Sequence, residues 1–322
     1  MKNTHCLHIG AGMLFFLFVI FSLSGFTRAG DEKHSEQDVV LYSCIEVPES
    51  IVFCGTAIDL TRFDRRERMD RELMAFAYMH STSLQIIKRA NRYFPIVDPI
   101  LKEYGVPEDF KYLMAIESNV NPLARSVAGA AGLWQFMPGT AKEFGLEVNS
   151  HVDERYDVEK ATRAACKYLK QAYARFGNWE TVAASYNAGQ GRISRQQDRQ
   201  YAENALDLYL VEETARYVYR ILAVKTMLAD PKKFGFRLRA SDLYPPIPYH
   251  TVKVTGHIED LPRFAKSQGT NFSLLRNMNP WLRDFSLPNH GKKEYVIRIP
   301  DKEEMHYNPR VIVPYDKNWV VE

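Results

Sequence analysis

The stretch Pro107 to Ala141, PEDFKYLMAIESNVNPLARSVAGAAGLWQFMPGTA, constrains this chain most, because it sets one carboxylate, Glu117, at the end of an apolar helix. Pro107 suits a first helical position, where its missing N–H costs nothing, and Glu108 and Asp109 stand where the helix dipole favours negative charge. Phe110, Leu113, Met114, Ala115 and Ile116 supply a broad apolar face. Asn121-Pro122 stops the helix, since the residue before a proline is driven out of the helical region. Glu117 is therefore expected in the last turn, where apolar neighbours and the negative end of the dipole both raise a carboxyl pKa. From the helix alone two readings stand: a surface glutamate at a fraying end, and a catalytic acid.

The residues that follow favour the second. Gly129, Gly132 and Gly139 punctuate a tight loop, Trp134 and Phe136 add flat apolar surface, and Gln135 adds a donor and an acceptor. A new helix is expected near Pro138. Trp134 has two roles open to it, stacking on a ligand face or filling the core.

Glu117-Ser118, then Ser126 nine positions on, then Gly132-Leu133-Trp134-Gln135-Phe136-Met137-Pro138 and Thr140-Ala141, resemble the signature of the soluble-type (family 1) lytic transglycosylases. Ala183-Ala184-Ser185-Tyr186-Asn187-Ala188-Gly189 is similar to that family's AAYNAG segment, with Ser185 in place of the usual alanine. Glu213-Thr214-Ala215-Arg216-Tyr217-Val218 is similar to its closing ETxxYV segment. The resemblance spans residues 90 to 230 and is greatest to the membrane-bound D type, which carries cell-wall-binding repeats after the catalytic domain.

The resemblance implies a mainly α, lysozyme-like catalytic domain and a substrate made of peptidoglycan glycan strands. It implies that Glu117 is the catalytic group and that Ser126, Gln135 and Met137 line the groove. Tyr186 would set a phenol near the substrate acetamido group, Asn187 an amide near the glycan, and Glu213 and Tyr217 would brace the back of the site. Ser126 has a plainer alternative as the cap of a turn, and Tyr217 and Glu213 have one as core packing.

The residues also carry a chemical argument of their own. Glycoside hydrolases generally use two carboxylates, one to protonate the leaving oxygen and one to trap the sugar cation or activate water. In the motif region only Glu117 has an apolar setting, while Glu143 and Glu147 are read on a polar helix face and Glu213 belongs to the closing motif. A single acid suits a reaction in which the substrate supplies its own nucleophile. The resemblance names that reaction: cleavage between N-acetylmuramic acid and N-acetylglucosamine with a 1,6-anhydromuramoyl end. A muramidase of the same fold and a non-catalytic cell-wall-binding protein are the alternatives.

In chain order, Met13 to Leu23 is an apolar run of eleven residues flanked by Ser24, Gly25 and Ala29, the pattern of a secretory signal peptide over residues 1–29. Phe26 stands where a lipidated cysteine would be needed, so no lipid anchor is expected. The chain is thus read as exported to the periplasm or cell envelope. Removing Lys2 and Arg28 leaves 40 basic against 39 acidic residues, a balance without the clustered basic surface of a nucleic-acid binder. A monomer is expected, with protein partners unassigned.

Cys44 and Cys54 flank a short apolar segment and are read with pairing and non-pairing both open, and Cys166 as a buried thiol. The seven histidines after residue 29 are scattered without metal-type spacing, so neither metal nor cofactor is expected. Gly189-Gln190-Gly191 lacks the third glycine of a nucleotide loop and is read as a turn.

Residues 30–64 are read as an extension with one or two strands, and 65–240 as the catalytic domain. Within it, periodicity predicts helices from Asp64, from Ser83 to Tyr93, a break at Phe94-Pro95, and then Val97 to Tyr104. Val158 to Phe176, Trp179 to Tyr186 and Val211 to Leu228 follow. Tyr244-Pro245-Pro246-Ile247-Pro248 is a stiff linker into a small α+β domain over 241–322. Its strand, two helices and strand resemble a LysM module. Gly256 to Leu261 departs from the usual Gly-Asp-Thr-Leu and Trp281 to Lys293 is long, so glycan binding and a purely structural role both stand.

Overall fold

The computed structural model describes residues 44–321, and the expected signal peptide with residues 30–43 of the extension after it lies outside them. The described chain opens with a hairpin, β1 (Ser50–Phe53) and β2 (Thr56–Asp59), paired antiparallel with Ser50 opposite Asp59. A helical body follows: α1 (Phe63–Tyr78), α2 (His80–Glu103), α3 (Phe110–Ser118), α4 (Pro138–Glu143), α5 (Val158–Phe176), α6 (Trp179–Ala188), α7 (Gln190–Gln200) and α8 (Glu212–Ala229). The last part holds β3 (Tyr249–Val254), α9 (Leu261–Ser267), α10 (Phe272–Met278) and β4 (Tyr295–Pro300). The chain is mainly α with a small α+β part after it. Among the described residues no helix is long and apolar enough to cross a membrane.

The helical body is organised around α8, which packs on α1, α3 and α6. Tyr217, Val218, Tyr219, Ile221, Leu222, Ala223, Val224, Met227 and Leu228 are all buried, as in a helix enclosed on most sides. α2 packs on α3 and α5 and is continuous through Pro95 and Pro99, where periodicity predicts two helices with a break. Both prolines sit on its exposed face, so the backbone bonds they forgo fall on the solvent side, while Phe94, Val97 and Leu101 hold the opposite face in the core. α7 lies in a stretch without an apolar stripe, and Ile193 is its one buried residue.

α3 begins later and ends earlier than its sequence suggests. Pro107, Glu108 and Asp109 form three overlapping i to i+3 turns, their carbonyls accepting from Phe110, Lys111 and Tyr112 at 3.0 to 3.1 Å, and regular α-helix starts at Phe110. The helix stops at Ser118, because Asn119 (φ 51°) and Val120 (φ 53°) are both left-handed. That conformation is costly for a β-branched valine, and full burial of Val120 holds it in place.

β3 and β4 pair antiparallel, from Tyr249 opposite Pro300 to Val254 opposite Tyr295. Their inner faces join Leu261, Ala265, Leu275, Trp281 and Leu287 in a second apolar core, which also takes Ala131, Val152 and Tyr156 from the helical body. Asp153 N donates to Trp281 O at 2.9 Å and Arg283 N to His151 O at 2.8 Å. Lys293 lies 2.8 Å from Glu147 and 3.0 Å from Glu154, and Arg298 lies 2.6 Å from Glu159. Glu147 is thus not on a helix face; it sits in the loop after α4 and serves this contact.

The proline linker is strapped to α2, with Tyr244 N donating to Lys88 O at 3.2 Å and Arg92 Nε to Pro245 O at 2.9 Å. After β4 the chain returns to the helical body. Trp319 is 2% exposed within its core and donates Nε1 to Leu228 O at 2.6 Å. Lys111 Nζ, 3.0 Å from Asp98 and 2.8 Å from Tyr315 Oη, ties the same tail to α2 and α3. Cys44, Cys54 and Cys166 are free thiols.

Candidate active site

Glu117 lies in the last turn of α3, its side chain partly exposed and its carboxyl otherwise enclosed by protein. Burial pushes its pKa from 4.5 up to about 7; exposed Glu213 adds to the rise, while a hydrogen bond from Tyr217 and the charge of Arg220 pull it back. Tyr217, 3% exposed on α8, donates its hydroxyl to Glu117 Oε1. Burial and the nearby Glu117 charge hold the phenols of Tyr217 and Tyr186 protonated well above their usual range. Both are therefore donors, not bases.

The spacing of four and three puts Glu213, Tyr217 and Arg220 on one face of α8, and all three act on the carboxyl. Arg220 did not stand out in the sequence, although counting one helical turn on from Tyr217 reaches it. Glu213 is exposed in the first turn of α8, where its Oε1 lies 3.5 Å from Asn187 Nδ2. Asn187 also accepts at Oδ1 from Thr214 Oγ1 at 2.9 Å, so the second and third motifs meet through this amide.

Tyr186, on α6, donates to Trp134 O at 2.7 Å and packs edge-on against Tyr168 at 5.2 Å between ring centres. Its hydroxyl proton is thus committed to the backbone of the glycine-rich loop. Trp134 fills the core, fully buried, with Nε1 donating to Thr162 Oγ1 at 2.9 Å.

Ser126 closes the turn 126–130, its Oγ accepting from Ala130 N at 3.0 Å, which is the turn-capping alternative, while its own hydroxyl proton is left for another acceptor. Gln135 is left-handed (φ 48°) and spends its amide protons on Ala124 O at 3.2 Å and Gly132 O at 2.8 Å. Its Oε1 makes no bond among the described residues. Met137, 44% exposed just before α4, presents a flexible apolar side chain.

Arg155 holds this loop in shape and was not singled out from the sequence, where it sits in an acidic stretch without periodicity. Buried, it pairs with Asp153 at 2.7 Å and donates Nη1 to Gly129 O at 2.8 Å and Phe136 O at 3.0 Å. Gly132 (φ 77°) passes so close that a Cβ there would lie 1.8 Å from Arg155 O.

Residues 96–208 match the family model of the transglycosylase SLT domain. The chain carries a transglycosylase SLT domain. Residues 250–303 match the soluble lytic transglycosylase C-terminal LysM-like domain, so the SLT domain is followed by the kind of module its strand-helix-helix-strand order suggested. The chain is 29% identical over 242 residues to membrane-bound lytic murein transglycosylase D of Escherichia coli K12, covering 74% of this chain and 52% of that protein. It is 37% identical over 111 residues to the soluble lytic murein transglycosylase of the same strain, 31% of this chain and 17% of that one. The chain thus spans about half the length of the first of these relatives. Among solved structures it is similar to an inactive mutant of lytic transglycosylase Slt from Pseudomonas aeruginosa, at 26% identity over 42% of this chain and 23% of that one, with a TM-score of 0.35. Glu117, Ser126, Gln135, Met137 and Tyr186 all fall inside the SLT match, while Glu213 and Tyr217 lie just beyond its end.

Proposed function

We propose that this protein is a lytic transglycosylase that cleaves the β-1,4 bond between N-acetylmuramic acid and N-acetylglucosamine in peptidoglycan, outside the cytoplasm, with Glu117 as its one catalytic carboxyl. The observation that carries the reading is the state of Glu117: enclosed, held by Tyr217, and with a pKa of about 7, so that acid and base forms are both accessible near neutral pH.

In the first step Glu117 gives its proton to the glycosidic oxygen. The C1–O bond breaks, the glucosamine leaves as an alcohol, and the muramoyl acetamido oxygen stabilises the cation at C1. Glu117, now a carboxylate steadied by Tyr217 and Arg220, takes the proton from the muramoyl C6 hydroxyl as that oxygen bonds to C1. The result is a 1,6-anhydromuramoyl end, no water is consumed, and Glu117 is protonated again. Ser126 Oγ, Gln135 Oε1 and Met137 line the groove in this reading, and Asn187 orients the glycan. Tyr186 acts at one remove by fixing the Trp134 backbone. Residues 65–240 carry the chemistry, and within 241–322 the LysM-like residues 250–303 hold the strand.

Glu213 is the acidic group that acts on Glu117, which keeps a second reading open, a muramidase in which Glu213 serves water. Mass spectrometry of digested sacculi separates the two. Products lighter by one water than reducing muropeptides are expected; reducing ends would establish the hydrolase, and no release at all would end both readings.

A further inference from the structure

The molecule holds a cavity, lined by none of the site residues described above, that neither the motifs nor the catalytic reading uses. Its volume is about 430 Å³, and its wall includes Leu123, Tyr156, Phe272, Arg276, Asn277 and Arg283. Leu123 belongs to the loop that leaves α3, six residues after Glu117, so chain reach alone keeps that wall within roughly 20 Å of the catalytic residue. The opposite wall is the LysM-like part, and Arg283 comes from the long stretch after Trp281 that departs from the usual module pattern.

Two guanidinium groups line this cavity, and among the described residues neither forms an ion pair. Arg283 lies over the Tyr156 ring at 4.3 Å and donates Nη1 to Pro280 O at 3.0 Å; Arg276 lies over Phe272 at 5.6 Å. The neighbouring carboxylate, Asp284, lies 3.3 Å from His151 Nε2 and forms no ion pair with either arginine. Arg276 is disfavoured as a cation, first by burial and then by the charge of Arg283, with the Asp284 charge pulling the other way. Two like charges on one cavity, only partly offset by Asp284 and without an ion pair of their own, leave an electrostatic cost that an anion between them would lower. Guanidinium forks match a carboxylate in geometry, and the apolar walls of Leu123, Tyr156 and Phe272 suit an aliphatic chain beside it.

We propose that this cavity binds a free carboxylate of the peptide stems that branch from peptidoglycan strands, so that the enzyme reads the peptide as well as the sugar. The assignment rests on the substrate class of the proposed function and deepens it. Leu123 lines the cavity six residues after Glu117, so a stem hanging from a strand held at Glu117 would bring its carboxyl to Arg276 and Arg283.

The test is calorimetric titration of the intact protein with a synthetic D-alanyl-terminated stem peptide, as the free acid and with all carboxyls amidated, and with inorganic phosphate. The free acid is expected to bind at least tenfold more tightly than the amidated peptide. Arg276→Gln should weaken that binding about 10- to 100-fold, the loss of a charge-assisted pair, with Arg276→Lys recovering part of it. If Arg276→Gln does not fold, Asn277→Asp, which puts a negative charge on the same wall, should weaken binding similarly. Equal binding of acid and amidated peptides, or no effect of a folded variant, overturns the proposal, and phosphate binding more tightly than the peptide reassigns the site. Digestion by the wild type is scored separately: peptide binding without glycan cleavage removes the proposed function and keeps the pocket, and cleavage without peptide binding does the reverse.

Discussion

Tyr217 donates its phenolic hydrogen to Oε1 of Glu117, a residue 100 positions earlier in the chain. The bond orients the carboxyl and leaves Oε2 without a partner among the described residues, free for a substrate oxygen. It also favours the ionised form, so Tyr217 opposes the burial that raises the Glu117 pKa. Packing of α8 on α3 therefore sets both the aim of the acid and its strength.

Glu117→Gln keeps the shape of the side chain and cannot carry the proton. Turnover is expected to fall by at least 100- to 10000-fold, the general-acid contribution. More than about a tenth of wild-type release of anhydro ends by a folded variant would assign the proton to another group.

The same variant reports on stability. Folding raises the Glu117 pKa from 4.5 to about 7, so between those values the native state keeps a proton that the unfolded chain gives up, and stability is lost as pH rises. Glutamine carries no such cost. Glu117→Gln should melt above the wild type at pH 8, and the gap should close near pH 4. A gap independent of pH in calorimetry would mean that the carboxyl does not titrate as described.

Activity should show an alkaline limb near pH 7, because the reaction begins from protonated Glu117. Tyr217→Phe removes a bond that stabilises the carboxylate, so this limb should move upward by roughly one pH unit while turnover falls. An unmoved limb in the pH–rate profile would show that the bond is absent in the working enzyme. An additional acid limb in a folded sample, lost on mutating Glu213, would favour the hydrolase.

Gly132→Ala sets a Cβ 1.8 Å from Arg155 O at a position with φ 77°. The loop must shift or strain, a cost of about 1–3 kcal/mol for the conformation before the clash is counted. A lowered midpoint in thermal melting, with activity reduced more than stability, is expected; a wild-type melt would show that the loop and Arg155 separate freely.

The returning tail gives a prediction against simple truncation. Trp319 is buried in the core of the helical body, and Trp319→Ala is expected to cost about 3–5 kcal/mol. A chain ending near Ala240 loses Trp319, Ile312 and the Tyr315 contact with Lys111, so it should melt far below the full chain. Unchanged melting of that shortened chain would show the tail to be dispensable.

The sequence determined the local features of this protein. The apolar face of α3 with its terminal glutamate, the proline opening α4, the long amphipathic α5 and the alternating strands of the last part are all legible, since each depends on residues a few positions apart. Helix ends were less so: Pro95 and Pro99 read as a break because a proline forbids backbone bonds, yet whether the lost bonds face water or core is fixed by what packs on the other side. Tertiary structure alone decided that Tyr186 serves the loop backbone, that Trp134 is core, that Arg155 pins the motif loop and that residues 301–321 return to the helical body. It also decided the working pKa of Glu117, because desolvation and the bond from Tyr217 come from neighbours distant in sequence, and a low-dielectric enclosure exists only once α8 has packed against α3.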